Sequence, residues 1–178
     1  MISDHLDAHE GPSRVLSLCA GDGRDVIGVL RQREDSARVH GTLVELHSDI
    51  AQRARDAAAG LDLVVRTADA AETASYADAI PADLVLLVGI FGNISAEDLE
   101  HTVAASPALC TRGATLVWTR GRRGGDCNDA VRARFEAAGF TELEYATSDL
   151  DGLPAVGAVR YQGPPVTPSA ERLFTFLR

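Results

Sequence analysis

The stretch R-V-L-S-L-C-A-G-D-G-R-D-V, residues 14–26, joins a short apolar run to a turn with two glycines and then to a helix-compatible segment. Arg14–Leu18 reads as a buried strand, and Gly21 and Gly23 let the main chain approach a ligand that side chains would exclude. That geometry makes a nucleotide-sized pocket at a helix N-terminus, the alternative being a plain strand-to-helix turn. The spacing of the glycines separates two ligand classes. A dinucleotide fingerprint G-x-G-x-x-G starting at Gly21 needs a glycine at position 26, where Val26 stands. Asp22 and Asp25 put negative charge at the turn, which repels a pyrophosphate but not a sulfonium-bearing nucleoside.

Working outward, β-rich apolar runs alternate with Ala/Arg/Glu segments, the pattern of βαβ units around a mostly parallel sheet. Strands are expected at Arg14–Leu18, Gly41–Leu46, Leu61–Thr67, Ala82–Ile90 and Ala114–Arg120. Helices are expected at Arg24–Arg33, at Asp49–Ala59 behind Ser48 as N-cap, and near Thr73–Ala79. A further helix follows Ser95, where S-A-E-D resembles a capping box with Asp98 in the returning position, and another runs from about Asp126 to Ala138 after Gly124-Gly125. Beyond Gly139 the helices stop, and Thr141–Ala146, Ala155–Tyr161 and Arg172–Leu177 all read as strand. An antiparallel hairpin closing a parallel sheet is expected, with the last two pieces competing for the closing strand.

Two further acids fall at strand ends. Glu45, in T-L-V-E-L-H (42–47), can accept hydrogen bonds from both hydroxyls of a ribose; the alternative is a strand-end acid facing water. Asp69, in V-V-R-T-A-D-A-A (64–71), can accept from an adenine amino group or simply cap the next helix. The loop W-T-R-G-R-R after the fifth strand carries Arg120, Arg122 and Arg123, which suit either an anionic ligand or solvent. His5, His9, His47 and His101 have no motif around them and read as surface or core residues.

Together the three strand-end elements resemble the class I S-adenosylmethionine-dependent methyltransferase superfamily, and the resemblance covers nearly the whole chain. It is nearest to bacterial members with a V-L-x-L-x-x-G-x-G-R-D turn. The resemblance implies a three-layer Rossmann-like α/β sandwich, with a twisted sheet of about seven strands and an antiparallel C-terminal hairpin. It also implies S-adenosylmethionine as cofactor and S-adenosylhomocysteine as product. On this reading the cofactor contacts are Cys19, Ala20, Gly21, Asp22, Gly23 and Asp25 for the methionine and ribose side, and Glu45 with Leu46 for ribose and adenine. Asp69 and Ala70 serve the adenine, and Gly89 and Ile90 in V-G-I (88–90) line the methyl-bearing side. The chain departs from the family at Ser17, where an acid is common, and at Cys19, where glycine is common. The stretch F-G-N-I-S (91–95) also lacks the N-P-P-Y signature that some relatives use on amino groups of bases or glutamine.

Composition narrows the partners. A net charge of −9, with all basic side chains arginine, disfavours nucleic acid and anionic membranes, which draw on clustered positive charge. Cys19, Cys110 and Cys127 are odd in number and scattered, which fits a reducing compartment rather than a disulfide framework. The longest apolar run, Leu84–Phe91, is too short to cross a bilayer, and residues 1–10 lack an export signal. The expectation is a cytoplasmic chain: a short N-terminal extension (1–13), then one methyltransferase-like domain (14–178), acting on a small-molecule acceptor without a metal. No catalytic residue is assigned, since in-line methyl transfer can rest on proximity and water exclusion. A non-catalytic cofactor-binding protein and a nicotinamide-dependent oxidoreductase are the rival readings.

Overall fold

The computed structural model describes residues 1–121, 128–147 and 154–177. Seven strands form one sheet: β1 (Ser13–Leu18), β2 (Val39–Glu45), β3 (Leu63–Thr67), β4 (Ala82–Leu87), β5 (Cys110–Arg120), β6 (Phe140–Ala146) and β7 (Ala155–Tyr161), in the order β3-β2-β1-β4-β5-β7-β6. The first five strands pair in parallel, and β7 pairs antiparallel with both β5 and β6. The chain reverses its strand order between β1 and β4. In such open α/β sheets ligands sit outside the carboxyl ends of the strands at this reversal.

The helices are α1 (Ile2–Ala8), α2 (Arg24–Leu30), α3 (Ser48–Ala57), α4 (Ala96–Ala105) and α5 (Asn128–Ala137), with 3₁₀ turns at Ser36–Arg38, Thr73–Ala79 and Ser106–Leu109. Alternate residues of β1 face opposite layers. Leu16 and Leu18 join a core with Leu99, Val103, Val131 and Phe135 from α4 and α5, while Val15 packs with Leu6 of α1 and Val26 and Leu30 of α2. Two helical layers therefore cover the sheet. Among the described residues no helix is long and apolar enough to cross a membrane.

Several boundaries differ from expectation for local reasons. The α2 helix ends at Leu30, and Gln32 and Arg33 donate to carbonyls three residues back, tightening the last turn. His47, not Ser48, is the N-cap of α3, and the Ser48 hydroxyl turns to Asp49. The expected 73–79 helix is 3₁₀ with a break at Tyr76. Ser95 caps α4 by accepting the Asp98 N–H at 3.0 Å, but the Asp98 carboxylate accepts from Thr175 N–H instead of completing a capping box. The expected start of α5 at Asp126, Gly124-Gly125 and Cys127 lie outside the described residues.

The closing strand is β7, and Arg172–Leu177 is not a strand. Residues 169–177 instead form a strap across the segments that follow β3 and β4, with isolated bridges Glu72–Arg172 and Ile94–Phe176. Thr73 N–H donates to Glu171 O at 3.0 Å, Leu173 N–H to Ala71 O at 2.8 Å and Leu177 N–H to Asn93 O at 2.8 Å. Leu173 and Phe174 are buried beneath it. The apolar pattern that suggested a strand comes from these two anchors.

His5 is the buried histidine of α1, its Nδ1 3.0 Å from Thr115 Oγ1 and its Nε2 3.4 Å from Ser13 Oγ. Burial, and then the neighbouring His9, push its imidazole down to about 4. The folded value lies below the free one of about 6.5, so the neutral ring is favoured in the fold. Stability is full above about pH 6.5 and is lost as pH falls toward 4, by at most about 3 kcal/mol. Thermal melts of wild type and His5→Asn across this range should show a steeper acid loss for wild type; parallel curves would refute the buried neutral histidine.

Candidate functional site

The turn between β1 and α2 is the most constrained part of the carboxyl edge. Ala20 N–H donates to Val44 O at 2.9 Å and Gly23 N–H to Ala20 O at 2.9 Å, locking the turn to β2. Gly23 takes φ 72°, a left-handed conformation that side chains rarely adopt, and its missing Cβ leaves room for Leu43 Cδ2 and Ile27 Cδ1, so the turn calls for glycine here. Gly21 takes φ 59° with no atom within 4 Å of a Cβ position, so the turn leaves open space at that point. Cys19 holds φ 55° and stores the strain that a side chain carries in this left-handed region.

Glu45 closes the end of β2 from beneath. Its Oε2 accepts the Gly21 N–H at 3.0 Å and its Oε1 the His47 N–H at 2.9 Å. The carboxylate is buried, at 7% exposure, so it is not the strand-end acid facing water. Beside it Leu46 stands 57% exposed, an apolar side chain open to a flat ligand. The Ala68 N–H donates to Glu45 O at 3.0 Å, which brings the end of β3 alongside.

Asp69 caps its own turn, its Oδ1 accepting the Ala71 N–H at 2.9 Å, and its Oδ2 pairs with Arg172 of the strap at 3.0 Å. Arg172 also pairs with Glu72. Sequence reasoning missed Arg172, which lies 103 residues from Asp69 with no local motif to mark it. Ala70 and Ile90 are buried in the core, leaving only their main chain toward the edge. Gly89, exposed at φ 75°, donates its N–H to Thr119 Oγ1 at 2.9 Å and accepts from Asn93 Nδ2 at 2.8 Å. The expected β4 therefore ends at Leu87, and Val88–Phe91 is a fixed turn whose apolar side chains enter the core.

The charges at the first turn are unequal. Asp22 is matched by Arg24, whose side-chain hydrogen bonds hold its carboxyl down to about 2, so it adds little net charge. Asp25 accepts the Val26 N–H at 2.8 Å, and burial pushes its carboxyl up. Burial, then Glu45 and Asp69, push the Cys19 thiol up to about 12, so it stays protonated and is no nucleophile at neutral pH. Of the Arg loop, Arg120 ends β5, while Arg122 and Arg123 lie outside the described residues.

No protein-family model and no curated protein matches the sequence. Solved structures do. The magnesium protoporphyrin IX methyltransferase of Synechocystis PCC 6803 with bound SAM superposes at TM-score 0.71 and 13% identity, over 90% of this chain and 76% of that one. A TehB-like SAM-dependent methyltransferase from Corynebacterium glutamicum gives TM-score 0.62 and 17% identity, over 90% and 86%. The fibrillarin pre-rRNA processing protein of Methanococcus jannaschii gives 0.69 and 15%, over 85% and 67%. With its strand order, its antiparallel closing hairpin and its glycine turn at the reversal point, the chain has the fold of the class I S-adenosylmethionine-dependent methyltransferases.

Proposed function

We propose that this chain is an S-adenosylmethionine-dependent methyltransferase acting on a small-molecule acceptor. The observation that carries the reading is Glu45, buried at the end of β2 with one oxygen on Gly21 N–H, directly beneath an open glycine turn. Each carboxylate oxygen has two lone pairs, so two acceptor positions remain for ribose hydroxyls beside the two main-chain donors. The acids around the site favour a cationic sulfonium over a pyrophosphate, with Asp25 rather than the neutralised Asp22 supplying the charge. Ser17 Oγ, buried without a partner two residues before the turn, is a further polar atom at the methionine end.

S-adenosylmethionine, when bound, would supply an electrophilic methyl group for in-line transfer to the acceptor. The chain's part is orientation. Glu45 and Leu46 would hold the nucleoside, the Cys19–Gly23 turn would cradle the amino-acid portion, and the Gly89 turn, pinned by Thr119 and Asn93, would border the reacting side. The neighbours include both a porphyrin methyltransferase and a pre-rRNA processing protein, so the acceptor class rests on this chain's own charge of −9, which disfavours a polyanion.

Calorimetry with S-adenosylhomocysteine, NAD and NADP tests the reading. Saturable heat is expected only for the first; NAD binding without a response to S-adenosylhomocysteine would overturn it.

A further inference from the structure

Beyond the cofactor turns, the β5 strand runs out at Thr119 and Arg120, between the first turns of α4 and α5. A cavity of about 260 Å³ remains there, walled by Phe91, Ile94, Leu99 and Val131. All four are buried apolar side chains, yet Arg120 and Arg134 also line it. The Nε atoms of both guanidinium groups are sealed from solvent and have no hydrogen-bond partner. Arg134 is partly matched, its Nη2 lying 3.4 Å from Glu100 Oε2 and its Nη1 3.3 Å from Ala130 O. Arg120 has only a 3.5 Å contact from Nη1 to Asn128 Oδ1, and no carboxylate among the described residues is within ion-pair reach of it. Arg120 is thus a partly buried cation whose terminal nitrogens lack an anionic partner among the described residues, and a ligand anion in the cavity would offset the cost of its burial.

The chemistry of the cavity selects its occupant. A guanidinium fork matches a planar carboxylate in two parallel hydrogen bonds. Apolar walls discriminate against a fully hydrated inorganic anion and favour an alkyl or aryl body of a few carbons. We propose that this cavity binds a small carboxylate with an apolar tail, its anion on Arg120 and its tail between Phe91, Ile94, Leu99 and Val131. Phe91 and Ile94 of the cavity wall follow the Gly89 turn directly in the chain, so the cavity adjoins the segment proposed to border the methyl-bearing side. Resting on the methyltransferase reading, this names the acceptor class as apolar carboxylates.

Hexanoate and its neutral amide, hexanamide, are suitable probes, titrated calorimetrically into the full chain with and without S-adenosylhomocysteine. Hexanoate should bind saturably and at least about tenfold more tightly than hexanamide. Arg120→Gln should lose about tenfold in hexanoate affinity, and Ala130→Phe, which adds bulk from an exposed position on the cavity rim, should lose at least as much. Both variants should keep wild-type affinity for S-adenosylhomocysteine, which separates this site from the cofactor turns. Absence of saturable hexanoate binding, equal binding of acid and amide, or an Ala130→Phe variant that binds like wild type would overturn the proposal. Hexanoate binding in a chain that ignores S-adenosylhomocysteine would support the carboxylate site while the methyltransferase reading fell.

Discussion

Replacing Glu45 with glutamine is expected to weaken S-adenosylhomocysteine binding about ten- to a hundredfold, the worth of charge-assisted hydrogen bonds to a ribose. The variant should also melt lower than wild type without ligand. From its position at a strand end alone, Glu45 would be a dispensable open acid whose loss leaves the fold's stability untouched. Its two oxygens, however, each hold a main-chain N–H, from Gly21 and from His47. Glutamine puts an NH₂ group against one of those donors, so one buried N–H loses its acceptor at a cost of about 1–3 kcal/mol. For a chain of this size that lowers Tm by about 2–4 °C per kcal/mol. Calorimetry and thermal melting on the same preparation read the two effects separately. Wild-type affinity in the variant would remove Glu45 from the ribose site, and with it the placement of the cofactor across the first two strand ends.

The largest loss of stability is expected from Gly157→Ala. Gly157 pairs with Trp118 across β5 and β7, and an added Cβ would lie 2.3 Å from Trp118 Cε2 and 2.4 Å from Nε1. The indole cannot retreat, because it is fully buried and packed on Phe91, Phe135 and Tyr145 at centroid separations of 6.0–6.1 Å. Overpacking a rigid core commonly costs about 1–3 kcal/mol, and this clash with no free side should reach or exceed the upper figure. Denaturant unfolding should show the variant near the limit of stability for a chain of this size. A Gly157→Ala/Trp118→Leu double variant should be more stable than the sum of the single losses predicts, since the smaller side chain makes room for the methyl. Additive losses would place the strain elsewhere.

Much of the parallel core was legible because β1 to β5 are short apolar runs separated by helix-forming segments, and local pattern alone specifies that alternation. The end of β4 was not. Ile90 and Phe91 look like more strand, but they are apolar because they enter the core from a turn that Gly89 begins. The α1 helix was missed because in seven residues it carries its buried contact on little more than His5 and Leu6, too short a repeat to stand out. At the candidate site, the tight turn was legible from the spacing of Gly21 and Gly23, both of which take positive φ. What sequence could not convey was that Glu45 is buried under the turn it supports, or that Asp69 is claimed by Arg172, since both depend on contacts made only when the chain is folded.

The strap carries a consequence for the order in which the molecule assembles. Its contacts join residues about a hundred positions apart, Thr73 with Glu171 and Asp69 with Arg172. Closing so long a loop costs entropy that is recovered only when the surfaces it joins already exist. Docking of residues 169–177 is therefore expected late in folding, and these residues are expected to open before the sheet does. Amide protons of Leu173 and Thr175 should exchange with solvent deuterons sooner than those of β1 and β4. Each such opening frees Asp69 from its arginine, at the strand end proposed to hold the adenine.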